Sequence, residues 1–151
     1  GEDIGFLPGT EEEKMGPWMG ALDDNLEVLA KTETSAGEWG RAATNDLIRS
    51  RIKIKSLNFM RGRTFLNKYL IIDEAQNLTP HEVKTIISRA GDGTKVVLAG
   101  DPTQIDNPYL DKDSNGLSYT VGKFNNSNIH SNVFLEKTER SELAALATEL
   151  M

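Results

Sequence analysis

Two short apolar runs, each ending in acidic residues, constrain the fold of this chain more than anything else in it. The first, Tyr69-Leu70-Ile71-Ile72, passes straight into Asp73-Glu74-Ala75-Gln76. The second, Val96-Val97-Leu98-Ala99, passes into Gly100-Asp101-Pro102-Thr103-Gln104. Continuous runs of this kind, bounded by turn residues, are the pattern of strands covered on both faces, as in a parallel sheet. Between them lies a helix start, with Thr79 as cap, Pro80 at the first helical position, Glu82 three residues after the cap, and Val83, Ile86 and Ile87 facing inward. Strand, helix and strand in this order predict an α/β fold with a small parallel sheet flanked by helices.

The rest of the chain is read around that unit. Pro17 suits the first position of a helix in which Met19, Leu22, Leu26 and Leu29 recur at helical spacing, and residues 32–40 read as an exposed connection. Thr44 can cap a short helix through Leu47 and Ile48, followed by the alternating Ile52, Ile54 and Leu57. Asn132-Val133-Phe134-Leu135 is a third candidate strand, leading into a last helix with Leu143, Leu146, Ala147 and Leu150 on one face.

In parallel α/β folds ligands gather at the carboxyl ends of strands, where Asp73, Glu74, Asp101 and Gln104 fall. A first carboxylate there can hold magnesium through its water shell, and a second can polarise a water for phosphoryl transfer. Gln104 has both a donor and an acceptor, so it could bond a terminal phosphate and the attacking water together. Acidic residues also suit turns and helix N-termini, and a single match would carry little weight. Two matching strand ends in one chain favour a nucleotide site.

Composition narrows the chemistry further. The 151 residues include no cysteine, which removes thiolate catalysis and cysteine-based metal sites, and the two histidines, His81 and His130, are isolated. The formal charge of −6 argues against bulk attraction to nucleic acid, so such binding would need a local basic stripe. Arg49, Arg51, Lys53 and Lys55 alternate, and Arg61 and Arg63 follow, with Phe59 and Phe65 nearby. This stripe could grip phosphates, or it could be the solvated face of an edge strand. No apolar run approaches the roughly 20 residues that span a bilayer, so no membrane is expected and the reading is cytoplasmic.

The motifs LIIDEAQN and VVLAGDPTQID, at residues 70–77 and 96–106, resemble those of the PhoH-like ATPases, relatives of superfamily-one helicases within the P-loop class. DIGFLPG, MRGRTF, NPYLDKDSNGL and ERSELAALATEL resemble the branch in which a PIN ribonuclease domain precedes the ATPase. The resemblance runs through nearly the whole chain and implies a RecA-like core, ATP with magnesium, hydrolysis, and RNA as the substrate of the parent protein. By the family pattern Asp73 would be the Walker B magnesium ligand and Glu74 the catalytic carboxylate. Gln104, with Asp101 beside it, would contact the terminal phosphate. Arg140 stands in a region where the family and its helicase relatives place an arginine that neutralises developing charge. It is equally well read as a surface arginine among Glu136, Glu139 and Glu142. A homo-oligomeric ring, such as a hexamer, would let it act on a neighbouring subunit.

One part of the family pattern is missing, a Gly-x-x-x-x-Gly-Lys-Ser/Thr loop. Residues 91–95, Gly-Asp-Gly-Thr-Lys, only imitate it, because the lysine follows the threonine and opens a strand. Residues 111–116, Asp-Lys-Asp-Ser-Asn-Gly, imitate half of a calcium loop, but the twelfth position is Gly122, where a bidentate glutamate is required. Ser114 or Asp113 is expected instead to cap a helix over 117–124. The expectation for residues 1–151 is therefore the C-terminal part of a RecA-like ATPase domain, nearly inactive by itself, with the phosphate loop and any PIN domain upstream. The alternatives are a non-hydrolysing interaction module and a DNA-directed motor.

Overall fold

The computed structural model describes residues 16, 19–25, 46, 50–55, 57–60, 62–136 and 141–150. The chain divides into two compact units, Gly1–Arg63 and Thr64–Met151. In the first, residues 19–25 are helical with Met19 and Leu22 half-buried, as their spacing predicts. Arg51 ends a helical stretch, residues 52–55 have no regular structure, and Leu57–Met60 form a 3-10 turn. The alternation of Ile52, Ile54 and Leu57 therefore does not mark a strand. The expectations for Pro17, Leu26, Leu29, residues 32–40, Thr44, Leu47 and Ile48 lie outside the described residues.

The second unit is built on the predicted βαβ element. Strand β1 (Tyr69–Ile72) pairs in parallel with β2 (Lys95–Leu98), in a register that sets Ile72 opposite Leu98. Helix α1 (Pro80–Ile87) connects them and starts as the sequence dictates. The Glu82 amide donates to the Thr79 hydroxyl at 3.2 Å, and the Thr79 amide donates to the Glu82 carboxylate at 2.8 Å. Residues 91–94 form the turn into β2, and Lys95 is the first strand residue, so the imitation phosphate loop is a helix-to-strand connection. This is an α/β architecture with a small parallel sheet flanked by helices, as the sequence predicts.

Helix α2 (Gly116–Phe124) packs on α1 and on the 3-10 turn Ala75–Asn77. Its cap is Asn115, not Ser114 or Asp113. The Ser118 amide donates to Asn115 Oδ1 at 2.9 Å, while Asn115 Nδ2 donates to the carbonyls of Asp111 and Lys112, both at 2.9 Å. The neighbouring Asp111 carboxylate accepts the amides of Asp113 and Ser114. These bonds hold its pKa below the ordinary carboxylate value, the Ser114 amide contributing most. The Gly116 amide bonds the Leu78 carbonyl at 2.7 Å, closing α2 onto the start of α1. The buried apolar side chains among the described residues, Ile72, Ala75, Val83 and Ile86, belong to this junction of β1, the 3-10 turn and α1.

Two further expectations fail. Residues 131–136 carry no regular secondary structure, and Phe134 is 79% exposed, so the third strand is absent from this stretch. An apolar run becomes a strand only where a neighbour takes up its backbone groups. Nor is β1 covered on both faces, because Ile72 is buried while Ile71, pointing the other way, is 66% exposed. The last helix, α3 (Glu142–Leu150), does form, with Leu143, Leu146 and Leu150 exposed.

Candidate functional site

Because β1 and β2 run parallel and in register, both carboxylate-bearing segments leave the same edge of the sheet. The ladder continues past the strands, with the Ala99 amide donating to the Ile72 carbonyl and the Ala75 amide to the Ala99 carbonyl, both at 2.9 Å. Asp73 is exposed, and its Oδ1 accepts the Glu74 amide at 3.0 Å. Glu74 sits in the left-handed region at φ 51°, ψ 38° and turns the chain into the 3-10 segment Ala75–Asn77. A glutamate there is strained, and such strain concentrates at working sites.

The second segment folds around its own carboxylate. Asp101 Oδ1 accepts the Thr103 amide at 2.9 Å and the Thr103 hydroxyl at 2.7 Å. Asp101 Oδ2 accepts Gln104 Nε2 at 2.8 Å. One N–H of the Gln104 amide is thus committed to Asp101, and the same amide carries a second N–H and an acceptor oxygen.

The residue that joins the two segments is Gln76, which stands in the first motif but is not singled out by the sequence. Its side chain is 0% exposed. Nε2 donates to Glu74 Oε2 and to the Gln104 carbonyl, the latter at 2.9 Å, while Oε1 accepts the Asp101 amide at 3.2 Å. Gly100 makes room for it, since a Cβ there would stand 2.2 Å from Gln76 Oε1. Asn77 adds a further tie, its Oδ1 accepting the amides of Asp106 at 2.7 Å and Asn107 at 3.3 Å. Glutamine and asparagine at turn positions are common, so the only available signal for these roles was their place directly after the Asp-Glu pair.

Asp73, Glu74, Asp101 and Gln104 are therefore brought to one edge. Arg140 lies outside the described residues, as does Arg61, and Arg63 is exposed in the first unit. No group of three or more histidine, aspartate or glutamate side chains suited to a metal occurs among the described residues. A divalent cation at Asp73 would take most of its ligands from water and phosphate oxygens, the habit of magnesium. The donor set, exposed carboxylate oxygen without imidazole or thiolate, fits that ion. No helix among the described residues is long and apolar enough to cross a membrane.

Comparison with known proteins gives one consistent result. A family model described as "PhoH-like protein" matches residues 1–151. The chain is 48% identical over 151 residues to "Protein PhoH2" of Bacillus subtilis (strain 168), covering all of this chain and 33% of that protein. It is 36% identical to "Protein PhoH2" of Mycolicibacterium smegmatis, again over the whole chain and 32% of the relative. The "PhoH-like protein" of Synechocystis sp. is 37% identical over 124 residues, 82% of this chain and 35% of the relative. The chain spans about a third of the length of these curated relatives.

Proposed function

The chain belongs to the PhoH-like family, and from that premise we propose that it supplies one wall of an ATP-hydrolysing site. The observation that carries the proposal is the single edge on which β1 and β2 present Asp73, Glu74, Asp101 and Gln104, the last three tied together through Gln76. Asp73 holds magnesium, which when bound neutralises phosphate charge. Glu74 accepts a hydrogen bond from the attacking water and draws off its proton. Gln104, anchored by Asp101, uses its free amide N–H toward the terminal phosphate and Oε1 toward the same water. Arg140 supplies positive charge to the transferring group, in its own subunit or across a homo-oligomeric ring.

ATP hydrolysis is coupled in the complete protein to remodelling or degradation of RNA, with Arg61 and Arg63 contacting phosphates. The 151-residue chain by itself turns over ATP negligibly, because the sequence contains no Gly-x-x-x-x-Gly-Lys-Ser/Thr loop to hold the triphosphate. The test is steady-state ATP hydrolysis by a protein of the relatives' full length and by this chain, each with RNA, with DNA and alone. Turnover by the longer protein, raised by RNA and absent from the chain, is expected. Charge reversal at Arg61 and Arg63 should lower the magnitude of the RNA-binding salt slope by about two. Stimulation by DNA and not RNA, or an unchanged slope, would refute the RNA assignment, and brisk turnover by the 151-residue chain would refute the division of labour.

A further inference from the structure

We propose that Gln76 is a positioning residue that locks the Glu74 carboxylate to the Asp101–Gln104 segment, so that Glu74 and Gln104 address the same water. The proposal rests on the reading of Glu74 as the group that acts on that water. Its physical basis is the complete commitment of one buried amide. Both N–H groups of Nε2 are spent, one on Glu74 Oε2 and one on the Gln104 carbonyl, and Oε1 takes the Asp101 amide.

A purely structural role explains only part of this. The bonds to the Gln104 carbonyl and the Asp101 amide satisfy backbone groups that would be costly to leave unpaired. The bond to Glu74 does not, because Glu74 is exposed and water could solvate its carboxylate. Its effect is to fix the direction of a flexible acidic side chain. A second sign of this fixing is the backbone of Glu74, held at a positive φ two residues before Gln76. Gly100 completes the arrangement, since any side chain there would collide with the amide oxygen.

The test uses the protein at its relatives' full length. Gln76→Met keeps the length and volume of the side chain and removes its two donors and its acceptor. Crystal structures of parent and variant read the position of Glu74 directly, and steady-state ATP hydrolysis reads kcat and KM separately, per folded protein. Glu74 is expected to leave its parental position in the variant. With it kcat should fall about 10- to 100-fold, the effect of misplacing a reacting group by about 1 Å. KM for ATP should stay within about two-fold, because ground-state binding is untouched. If Gln76→Met does not fold, Gln76→Glu, which keeps an acceptor for the Asp101 amide and loses the amide donors, is read in the same way. A Glu74 carboxylate that keeps its place, or a kcat within about two-fold of the parent, overturns the proposal. If the parent protein does not hydrolyse ATP, the reading of the site fails, while displacement of Glu74 in the variant still decides the role of Gln76.

Discussion

Glu74 is the residue at which backbone geometry and proposed chemistry meet most closely. Its left-handed conformation costs a non-glycine residue on the order of 1 kcal/mol. Glycine adopts that conformation freely but gains more entropy in the unfolded chain, so the two effects oppose one another. Glu74→Gly should therefore change stability by no more than about 1 kcal/mol while abolishing ATP turnover in the full-length protein. Chemical denaturation alongside a hydrolysis assay checks this, and a large loss of stability would mean that the glutamate is held there for the fold. The same residue shows what the sequence could and could not reveal. Asp73, Glu74, Asp101 and Gln104 are legible because they fall in the turns that immediately end two apolar runs. Gln76 is not, because its role depends on partners 25 and 28 positions away.

At the scale of elements, the legible features are those decided within a few residues. The Thr79–Glu82 capping box and the turn before Lys95 need only local spacing, and both form as the sequence predicts. The cap of α2 is different, because Asp113, Ser114 and Asn115 are all competent cap residues. The choice falls on Asn115 because Gly116 must approach the Leu78 carbonyl and Val83 closely enough to seat the helix. A Cβ at Gly116 would stand 2.5 Å from Val83 Cγ2 and 2.8 Å from the Leu78 carbonyl oxygen. Gly116→Ala should accordingly destabilise the protein by about 1–3 kcal/mol, the usual cost of overpacking, despite alanine's better helix propensity. Urea unfolding of parent and variant measures it, and a stabilised variant would show that α2 can shift freely. Cover on the two faces of β1 and the fate of residues 131–136 depend on what lies alongside, which a run of apolar letters does not encode.

At the scale of the whole molecule, an α/β unit with a two-stranded parallel sheet among its described residues carries the proposed catalytic edge, and the chain spans about a third of its curated relatives. Ile71, Phe134, Leu143 and Leu150 all lie exposed on this unit. The chemistry proposed for the edge needs a triphosphate held beside it, which in P-loop proteins is the work of a glycine-rich loop that this sequence does not contain. In the proposed function, water activation and phosphate contact fall to this chain, and triphosphate binding falls to a phosphate loop outside these 151 residues. The most direct measurement is the comparison of ATP binding and ATP turnover in a full-length protein carrying Glu74→Gln. If Glu74 draws the proton from water, kcat should fall on the order of 100-fold or more while ATP binds as in the parent. Turnover at the parental rate would contradict the account at its centre.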